Sequence, residues 1–489
     1  MGTWELCKLP TDRKAIPCMW VFKRKLTADG QIERYKARLV IKGFFQKYGI
    51  DYEMVFAPVV RAESIRLFFT MVAAFDLECH TIDIKNAFVQ GLLDEEIYMQ
   101  QPPGYSDGSG RVCRLIKSLY GLKQAPRVWH ETLRDHLVFL GCIQCLSDGA
   151  LFLYSSKKHG LIIILMYVDD LQIAAVKLSA VKFMKKCILD KFPGSDKGET
   201  DYFLQMSVSR DRPNRNIVLR QKRHIDDLVA ELKLTNADPR SVPMLEKVQN
   251  DPPGAVFTAP DDITRYRRLV GILIHIAHYT RPDIAFAVNY LSRFNQSPTA
   301  GKLARAVDLV RYLKGTSDMG LHLGGSTELQ GYSDASHADC KEGEPSANGI
   351  RRQSTSGYVI KMGHGSISWR SSKQATVSNS TAEAEYIAAG EVSREASYIY
   401  QLSQQLFLYP DTIPIGIDNK AATFMTEDPL SAKRTKHIDI AYHFVREKVK
   451  YGWVKVQSIK GTDNPADIFT KPLGRQLFEK HRDALGVRA

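Results

Sequence analysis

Two consecutive aspartates interrupt a long apolar stretch in the first half of the chain. The apolar run Ile162 to Val168 leads into Asp169-Asp170, and a second apolar run, Leu171 to Val176, follows. Two such runs around a short polar break predict a β-hairpin with both carboxylates at its tip. An Asp-Asp pair in isolation is usually only a turn. The full string Tyr-Val-Asp-Asp between two strands, with Asp83 ending an earlier predicted strand, favours a site for a hard divalent cation instead.

The length and charge of the chain indicate what kind of protein carries this site and what kind of partner it binds. The chain has 489 residues, of which 44% are hydrophobic and 25% charged, so it is long enough for two to four folding units. The 67 Lys and Arg residues exceed the 54 Asp and Glu residues and give a net charge of +13. A basic excess favours a polyanionic partner through phosphate neutralisation. The alternative from charge alone is a soluble basic protein with no such partner.

Several classes of protein are disfavoured. Eight cysteines are too few for a disulfide framework, and Cys142 and Cys145 form a lone C-x-x-C for which a structural role is expected. No signal peptide opens the chain, and the apolar run Leu161 to Val168 is too short to span a bilayer. The glycosylation sequons at Asn295 and Asn379 are therefore expected to be silent. These observations predict a reducing compartment.

The first half alternates predicted strands and helices. Ile65, Phe68, Phe69 and Val72 share one helical face. Residues 236–262, rich in Pro and Asp, are interpreted as a linker. The other predicted elements are a basic hairpin of Trp20 to Lys23 and Tyr35 to Val40 around a turn at Ala28 to Gly30, a strand at Thr81 to Phe88, and helices at Val128 to Leu140 and Val181 to Phe192.

The second half predicts an α/β domain with a mixed sheet, beginning near Leu323. Strands are expected at Leu329 to Tyr332, Ser356 to Ile360, Ser366 to Trp369, Ile413 to Asp418 and Trp453 to Val456, with a long helix at Ala382 to Leu408. Four acidic residues lie at predicted strand ends or helix starts: Asp334, Glu383, Asp418 and Asp467. Their spacing alone predicts no shared site, since charges this far apart are usually solvated.

Local strings give the chain a resemblance to a known family. Residues 1–235 resemble the reverse transcriptase of copia-type LTR retrotransposons, and the later strings resemble the RNase H domain of the same elements. The reverse transcriptase strings are Tyr35 to Val40, Phe56 to Arg61, Asp83 to Phe88, Tyr98 to Gly104, Ser118 to Arg127 and Tyr167 to Asp170. The RNase H strings are Gly331 to Ala335, Ser354 to Tyr358, Thr381 to Tyr386, Asp418-Asn419, Thr435 to Ile440 and Ala466 to Lys471.

The resemblance implies an α+β fold: a right-hand polymerase with fingers, palm and thumb, followed by an RNase H-like α/β domain with a mixed sheet. The expected domains are reverse transcriptase fingers and palm at 1–235, a thumb or connection-like linker region at 236–325, the RNase H-like domain at 326–475 and a C-terminal tail at 476–489. The first residues, Gly2 to Leu6, are expected to begin inside the family's first domain, after a leading helix. A processed product, a cropped segment and a decayed genomic copy all fit that start.

The resemblance also assigns roles in the polymerase half. Asp83 and Asp169 would hold two metal ions, with Asp170 adjacent and less directly engaged. Arg38 would contact the incoming triphosphate, with Lys23 or Lys25 as weaker candidates. Phe88 would lie under the sugar and exclude a 2′-hydroxyl, although a core aromatic is an equal alternative. Tyr120, Gly121 and Gln124 would lie near the nucleotide and template, with a turn residue as the alternative for Gln124.

In the RNase H half, Asp334, Glu383, Asp418 and Asp467 would bind two ions. A metal-activated water would then cut the RNA strand of an RNA–DNA hybrid. Glu385 is left out because a residue two positions along a helix faces another way. His437 is a candidate acid–base group, but its distance in sequence from Asp467 favours a structural or nucleic-acid-facing role.

The expected cofactor is Mg²⁺, with Mn²⁺ as a substitute, two ions per active site. The expected partners are RNA template, DNA primer, RNA–DNA hybrid and dNTPs, with capsid and integrase in the full polyprotein and no membrane. The expected location is cytoplasmic, in a virus-like particle, or nuclear. Backbone contacts carry little sequence information, so we expect broad template tolerance and a steep loss of activity with salt.

One departure from the family pattern bears on activity. Phe203-Leu204-Gln205 stands where relatives have Phe-Leu-Gly, near the primer strand. Glycine allows a closer backbone approach than glutamine, so weakened primer positioning is the hypothesis. The alternative to an active enzyme is a decayed nucleic-acid-binding remnant that retains at most RNase H activity.

Overall fold

The computed structural model of the chain describes residues 2–26, 31–245, 254–338, 352–418 and 439–489. The chain forms two compact units. The N-terminal unit comprises Met1–Val60 and Glu78–Glu199, and the C-terminal unit comprises Arg61–Leu77 and Thr200–Ala489. The first helix, α1 (Ala62–Ala74), therefore belongs to the C-terminal unit although N-terminal-unit segments flank it on both sides.

The N-terminal unit is built mainly from antiparallel strands. They are β1 (Trp4–Cys7), β2 (Cys18–Leu26), β3 (Ile32–Ile41), β4 (Glu78–Ile84), β5 (Tyr98–Met99), β6 (Val112–Leu115), β7 (Ile143–Gln144), β8 (Leu151–Ser156), β9 (Gly160–Tyr167), β10 (Asp170–Ala175) and β11 (Gly194–Glu199). Its helices are α2 (Ala125–Phe139), α3 (Leu178–Lys191) and short 3₁₀ turns at Gly43–Phe45 and Ala87–Val89.

A six-stranded sheet, ordered β11-β4-β10-β9-β8-β7, is the centre of this unit. Apolar residues of β4, β9 and β10 form a core that α2 and α3 cover, with Trp129, Leu133 and Met184 fully buried. Burial of side chains this large stabilises each by about 1.5–3 kcal/mol relative to exposure. The same core fixes the strand register, because a slip by one residue would turn the buried face outward.

The C-terminal unit contains the remaining elements. Its further strands are β12 (Tyr202–Phe203), β13 (Met206–Asp211), β14 (Asn216–Arg220), β15 (Gly320–Gly324), β16 (Leu329–Ser336), β17 (Thr355–Met362), β18 (Gly365–Lys373), β19 (Ile413–Ile417), β20 (Val454–Ser458) and β21 (Val487–Arg488). Its further helices are α4 (Lys222–Glu231), α5 (Pro260–Tyr279), α6 (Ala285–Ser292), α7 (Ala300–Gly315), α8 (Thr381–Gln405), α9 (Asp439–Lys450) and α10 (Arg475–Ala484), with 3₁₀ turns at Pro282–Ile284, Gly461–Asp463 and Pro465–Phe469.

The mixed sheet predicted for the second half is present. Its order is β18-β17-β16-β19-β20, in which β16, β17 and β18 are antiparallel and β19 and β20 run parallel to β16. Helix α8 packs on β16 through Ala384 and Ala388, which contact Ala335. Small residues at this contact let the helix lie close to the strand.

Helix α1 packs against the strands of the C-terminal unit, including β15 and β18. Arg66 is 2% exposed; its Nε donates to the Ile367 carbonyl at 2.6 Å and its Nη1 to the His278 carbonyl at 2.7 Å. The guanidinium also lies 3.8 Å from the centre of the Trp369 ring. A buried charge is tolerated only when it is paired and hydrogen-bonded, so these contacts fix the helix at one position on the sheet.

Three sequence predictions need adjustment. Residues 476–489, expected to be a tail, are most of α10 and the strand β21, which pairs with β15. The strand expected at Thr81 to Phe88 is β4 at Glu78–Ile84. Helix α5 begins inside the predicted linker, of which residues 246–253 lie outside the described part. The other domain ranges stay predictions.

The structure bears on two features of the sequence, the Cys142/Cys145 pair and the apolar segments. Cys142 and Cys145 are both buried, and burial raises the pKa of each thiol to about 12. Such thiols are poorly suited to form the thiolates that bind metal. Among the helices of the described ranges, no helix combines the length and apolarity needed to cross a membrane.

Candidate active sites

The predicted hairpin places its two aspartates beside Asp83. Strands β9 and β10 are antiparallel, and Tyr167 pairs with Asp170 next to the turn. Strand β10 also pairs with β4, and there Asp170 lies opposite Asp83. The Ile84 amide donates to the Asp169 carbonyl at 2.8 Å. Asp83, Asp169 and Asp170, called the first acid cluster below, therefore meet where three strand ends join.

The turn of this hairpin is strained and held in place. Val168 has a φ of 55°, a conformation that is rare for a β-branched residue. The Trp129 indole of α2 donates to the Val168 carbonyl at 2.6 Å. This contact ties the turn, and with it Asp169, to the buried core of the unit.

Burial and mutual repulsion raise the pKa values of Asp169 and Asp170. Burial is the larger cause for Asp170, and Asp169 and Asp83 add to it, which together raise the pKa of Asp170 to about 6. The pKa of Asp169 is also raised, by burial first and then by Asp83, while Lys36 and Arg38 counteract the shift. Carboxylates arranged in this way favour a bound cation, because the cation relieves the repulsion.

A lysine already approaches the first acid cluster. Lys197 lies at a β-bulge of β11, between the residues paired with β4, and its Nζ is 3.5 Å from Asp83 Oδ2. The neighbouring Asp196 is held by Lys185 at 2.6 Å. Bulges often redirect a side chain next to an active site. Here the bulge directs a positive charge towards Asp83.

Arg38, Tyr120 and Phe88 form one connected group. The Arg38 guanidinium is 5.6 Å from the centre of the Tyr120 ring, and Phe88 meets that ring edge-on at 5.2 Å. Arg38 and Tyr120 line a cavity of about 420 Å³ together with Asn86 and Trp20. Arg38 Nε is buried and has no hydrogen-bond partner among the described residues. The group is thus suited to receive an anion.

Gly121 and Gln124 have contacts that account for their positions without a ligand. A side chain at Gly121, whose φ is +95°, would meet the Ile41 carbonyl at 2.1 Å. The buried Gln124 accepts from Gln46 at 2.9 Å and donates to the Asp51 carbonyl at 2.8 Å. The glycine permits close packing of the chain on β3, and the glutamine fixes the loop before α2. Their nucleotide-binding roles stay predictions.

Gln205 occupies a backbone position that favours glycine. Leu204 and Gln205 have φ values of 49° and 65° and form the two-residue turn between β12 and β13. Two consecutive positive φ values describe the type I′ turn, where glycine is preferred. The departure from the family's Phe-Leu-Gly string therefore coincides with a strained turn in the C-terminal unit.

A second acid cluster lies on the mixed sheet. Ligand atoms of Asp334, Asp418 and Asp467 all lie within 4.8 Å of one another, the only group of three or more candidate metal ligands to converge so closely within the described ranges. Asp334 is in β16, Asp418 follows β19, and Asp467 is in the 3₁₀ turn Pro465–Phe469. Parallel pairing of β16 with β19 brings the first two together.

The second acid cluster is more deeply buried than the first. Asp334 is 2% exposed, and the Thr470 hydroxyl donates to its Oδ2. Burial, and then repulsion from Asp334, raises the pKa of Asp467 to about 7, although Lys471 counteracts the shift. Burial and Asp334 also raise the pKa of Asp418. Three desolvated carboxylates at this spacing need a compensating cation.

The two glutamates near the start of α8 have different surroundings: the charges of Asp334 and Asp418 act on Glu385, whereas Glu383 makes contacts at the helix start. Glu383 lies in the first turn of α8, where its amide donates to Ser380 Oγ at 3.2 Å and its Oε2 accepts from the Asn379 amide at 2.8 Å. Glu383 thus caps the start of α8, and its metal-binding role stays a prediction. Glu385 is 3% exposed; burial, then Asp334 and Asp418, raise its pKa to about 9.

Sequence reasoning missed Glu385 although the signal was present. Ser380 and Glu383 have the S-x-x-E spacing of a capping box, which indicates that Glu383 serves the helix start. Glu385 lies one position from Ala384 and three from Ala388, on the side of α8 that packs on β16. His437, the candidate acid–base group, lies outside the described residues.

Comparison with known proteins identifies the family. Residues 1–246 match the family described as reverse transcriptase (RNA-dependent DNA polymerase). The chain belongs to this family. It is 36% identical, over its whole length, to the retrovirus-related Pol polyprotein from transposon TNT 1-94 of Nicotiana tabacum, covering 37% of that protein. It is 37% identical to the Pol polyprotein from transposon RE1 of Arabidopsis thaliana, with 99% of the chain and 32% of that protein covered.

The resemblance to copia-type Pol polyproteins is thereby confirmed. A putative transposon Ty5-1 protein of Saccharomyces cerevisiae is 33% identical over 64% of the chain and is covered completely. The chain spans about a third of the length of the plant relatives it matches. What those complete polyproteins do therefore comes to this chain only as a proposal.

Solved structures are similar in fold. A foamy viral protease–reverse transcriptase in complex with RNA/DNA hybrid aligns with a TM-score of 0.51 and 13% identity, covering 94% of the chain and 52% of that protein. The same kind of protein in complex with dsDNA aligns with a TM-score of 0.50 and 12% identity, over 93% of the chain and 79% of that protein. The predicted class, a polymerase followed by an RNase H-like domain, is confirmed at the level of fold.

Proposed function

We propose that the chain is an RNA-directed and DNA-directed DNA polymerase that also cleaves the RNA strand of RNA–DNA hybrids. The observation that carries the proposal is the presence of two separate acid clusters, one in each unit. The first lies on the hairpin of a chain that belongs to the reverse transcriptase family. The second lies on a mixed sheet with a buried glutamate beside it.

The donor sets fit divalent cations. Hard cations such as Mg²⁺ prefer carboxylate oxygens, and the raised pKa values in both clusters indicate carboxylates that lack a full compensating charge. In the polymerase site Asp83 and Asp169 would hold the ions, with Asp170 adjacent. In the nuclease site Asp334, Asp418, Asp467 and Glu385 would hold them. When bound, paired Mg²⁺ or Mn²⁺ ions stabilise the attacking and leaving oxygens of a phosphoryl transfer.

The remaining polymerase residues would bind and orient the nucleotide. Arg38, with an unpartnered buried Nε, would donate to phosphate oxygens of a dNTP. Tyr120 and Phe88, in edge-to-face contact, would form an apolar wall against the sugar. A wall of this kind discriminates by size against a 2′-hydroxyl.

The remaining nuclease residues would orient the acid cluster. Thr470 donates to Asp334, and Asn464 Nδ2 donates to the Ser333 carbonyl at 2.9 Å, which anchors the turn that carries Asp467. Supporting hydrogen bonds of this kind fix ligand geometry before substrate binds. The sequence places no histidine in residues 461–464, just before Asp467, so no residue of that segment is proposed as the proton-transfer group.

The proposed partners are an RNA template, a DNA primer and their hybrid. The net charge of +13 and complexes of the foamy viral relatives with dsDNA and with RNA/DNA hybrid support this choice. Capsid and integrase segments of a longer polyprotein, and a virus-like particle in the cytoplasm or the nucleus as the location, complete the proposal. Nucleic-acid binding should weaken steeply with salt, because each phosphate contact releases counterions.

The test is a pair of assays on one purified protein with Mg²⁺. One contains a primed RNA template and dNTPs, and the other a labelled RNA–DNA hybrid. Extension and cleavage together support the proposal. Asp169→Asn should abolish extension alone, and Asp334→Asn should abolish cleavage alone, so each signal is assigned to its cluster.

An RNase H without polymerase activity is the second candidate. It is favoured by the closer convergence of the second acid cluster and by the strained turn at Gln205. Cleavage without extension would support it. Loss of both activities in a protein that still binds hybrid would instead support a decayed nucleic-acid-binding remnant.

A further inference from the structure

A lysine contacts the second acid cluster directly. Lys471 Nζ is 3.0 Å from Asp467 Oδ1, and the two residues are one helical turn apart. Attraction from Asp334, Asp467 and Asp418 outweighs burial, which acts in the opposite direction, and raises the pKa of Lys471. The ammonium thus contacts Asp467, and the charges of Asp334 and Asp418 also act on it.

The backbone around Lys471 is fixed to the sheet. Asn464 accepts from the Ala466 amide at 3.1 Å and donates to the Ser333 carbonyl of β16. Thr470, next to Lys471, donates to Asp334. These bonds hold the base of the lysine side chain beside the carboxylates, although the side chain itself is 44% exposed. The ammonium can therefore leave without disturbing the turn.

Lys471 and a divalent cation have the same electrostatic function here. Buried carboxylates at this spacing repel one another, and a single ammonium relieves part of that repulsion. A divalent ion relieves more of it, but it binds the same Asp467 carboxylate that the ammonium contacts. Two cations at one carboxylate repel each other, so they compete.

We propose that the Lys471 ammonium acts as a tethered cation that stabilises the second acid cluster in the absence of metal. A divalent ion must displace this ammonium from Asp467 in order to bind. Lys471 is then a positioning residue that sets the metal concentration at which the nuclease site fills. The inference rests on the proposed nuclease function. It adds that the chain carries its own competitor for the metal.

The test measures metal binding directly on the full chain without nucleic acid. Asp83→Asn and Asp169→Asn are introduced together to silence the polymerase site, and Mn²⁺ is titrated by calorimetry. In this background Lys471→Met should lower the dissociation constant for Mn²⁺ by about tenfold, because a competing positive charge near the site is removed. Lys471→Arg, which keeps the charge, should change it by at most about twofold.

Lys480→Met is the matched control. Lys480 forms an ion pair with the exposed Asp463 at 2.7 Å, in the same part of the fold but outside the cluster. Its removal should leave the dissociation constant unchanged. Thermal unfolding of each variant establishes that it is folded before titration.

The outcomes separate this inference from the proposed function. An unchanged or weaker affinity in Lys471→Met, with Mn²⁺ binding to the parent, overturns the inference and leaves the nuclease proposal standing. An equal gain in Lys480→Met also overturns it, since the effect would then be one of net charge. Failure of the parent to bind Mn²⁺ at Asp334, Asp418 and Asp467 overturns the nuclease proposal itself.

Discussion

The two acid clusters bring together the same kind of side chain on different scaffolds. The first is assembled by adjacent antiparallel strands, with Asp170 opposite Asp83 and a lysine directed from a bulge. The second is assembled from a strand, a strand end and a turn that are far apart in sequence, with ligand atoms within 4.8 Å. The second is also more deeply buried, so its dependence on a compensating cation should be greater.

The largest expected effect separates the two glutamates of α8. Glu385→Gln should reduce hybrid cleavage by at least about a hundredfold, since it removes one of the carboxylates proposed to hold the ions. Glu383→Gln should reduce cleavage little and should change the free energy of unfolding by at most about 0.5 kcal/mol, because the Gln side-chain oxygen can still accept from the Asn379 amide. Primer extension serves as the internal control for both. Equal loss of cleavage in the two variants would contradict the assignment.

The next largest effect concerns α1, which lies in sequence between two segments of the N-terminal unit but belongs to the C-terminal unit. Arg66→Met should lower the free energy of unfolding by about 3 kcal/mol, because Glu63 loses its buried partner and two carbonyls lose their donor. Chemical denaturation measures the change. Arg66→Lys keeps the positive charge but loses the guanidinium's several donors. Its free energy of unfolding should lie between those of the parent protein and Arg66→Met. A stable Arg66→Met protein would mean that α1 is held by apolar packing alone.

The pH dependence of stability should follow from the second cluster. The pKa values of Asp467, about 7, and Glu385, about 9, exceed the ordinary values of 3.8 and 4.5. Between the ordinary and raised values the folded state keeps protons that the unfolded state has released, so stability decreases as pH rises. In EDTA we expect the midpoint of thermal unfolding to fall by on the order of 5 °C from about pH 5 to about pH 9.

Saturating Mg²⁺ should reduce this slope, because the ion replaces the protons. The double variant Asp467→Asn with Glu385→Gln should reduce it as well, whereas Asp170→Asn should have the smaller effect. A midpoint that rises with pH in EDTA would refute the account of the second cluster.

The smallest expected effect is at the turn between β12 and β13. Gln205→Gly should raise the free energy of unfolding by about 0.5–1 kcal/mol, since glycine adopts the positive φ without strain. If primer positioning is weakened by Gln205, extension should increase while cleavage stays constant. Gln205→Ala tests the size of the side chain without the backbone freedom. No gain in extension with Gln205→Gly would count against the primer hypothesis.

The sequence correctly predicted those features that are determined by residues close together along the chain. The Tyr167–Asp170 hairpin followed from apolar runs around a short break, and the long helix α8 followed from its periodicity. Glu385 was missed because the choice between two glutamates depends on which helical face meets β16. The pairing of β21 with β15 was missed because two residues at a chain end carry almost no periodic signal.

The place of α1 was equally hidden from the sequence. Its apolar face is clear in Ile65, Phe68 and Phe69, but nothing local indicates which strands it covers. The carbonyls that Arg66 contacts, those of Ile367 and His278, lie two hundred residues or more along the chain. Contacts at this separation are set by the whole fold.

The assignment of α1 has a consequence for any division of the chain. The backbone passes between the units at 60/61, 77/78 and 199/200. A single cut after Glu199 therefore leaves an amino-terminal fragment that still carries α1, whose Arg66 contacts Ile367 and Trp369. If the fragments 1–199 and 200–489 are produced separately and mixed, they should associate through α1. The two fragments should then reconstitute the fold by complementation.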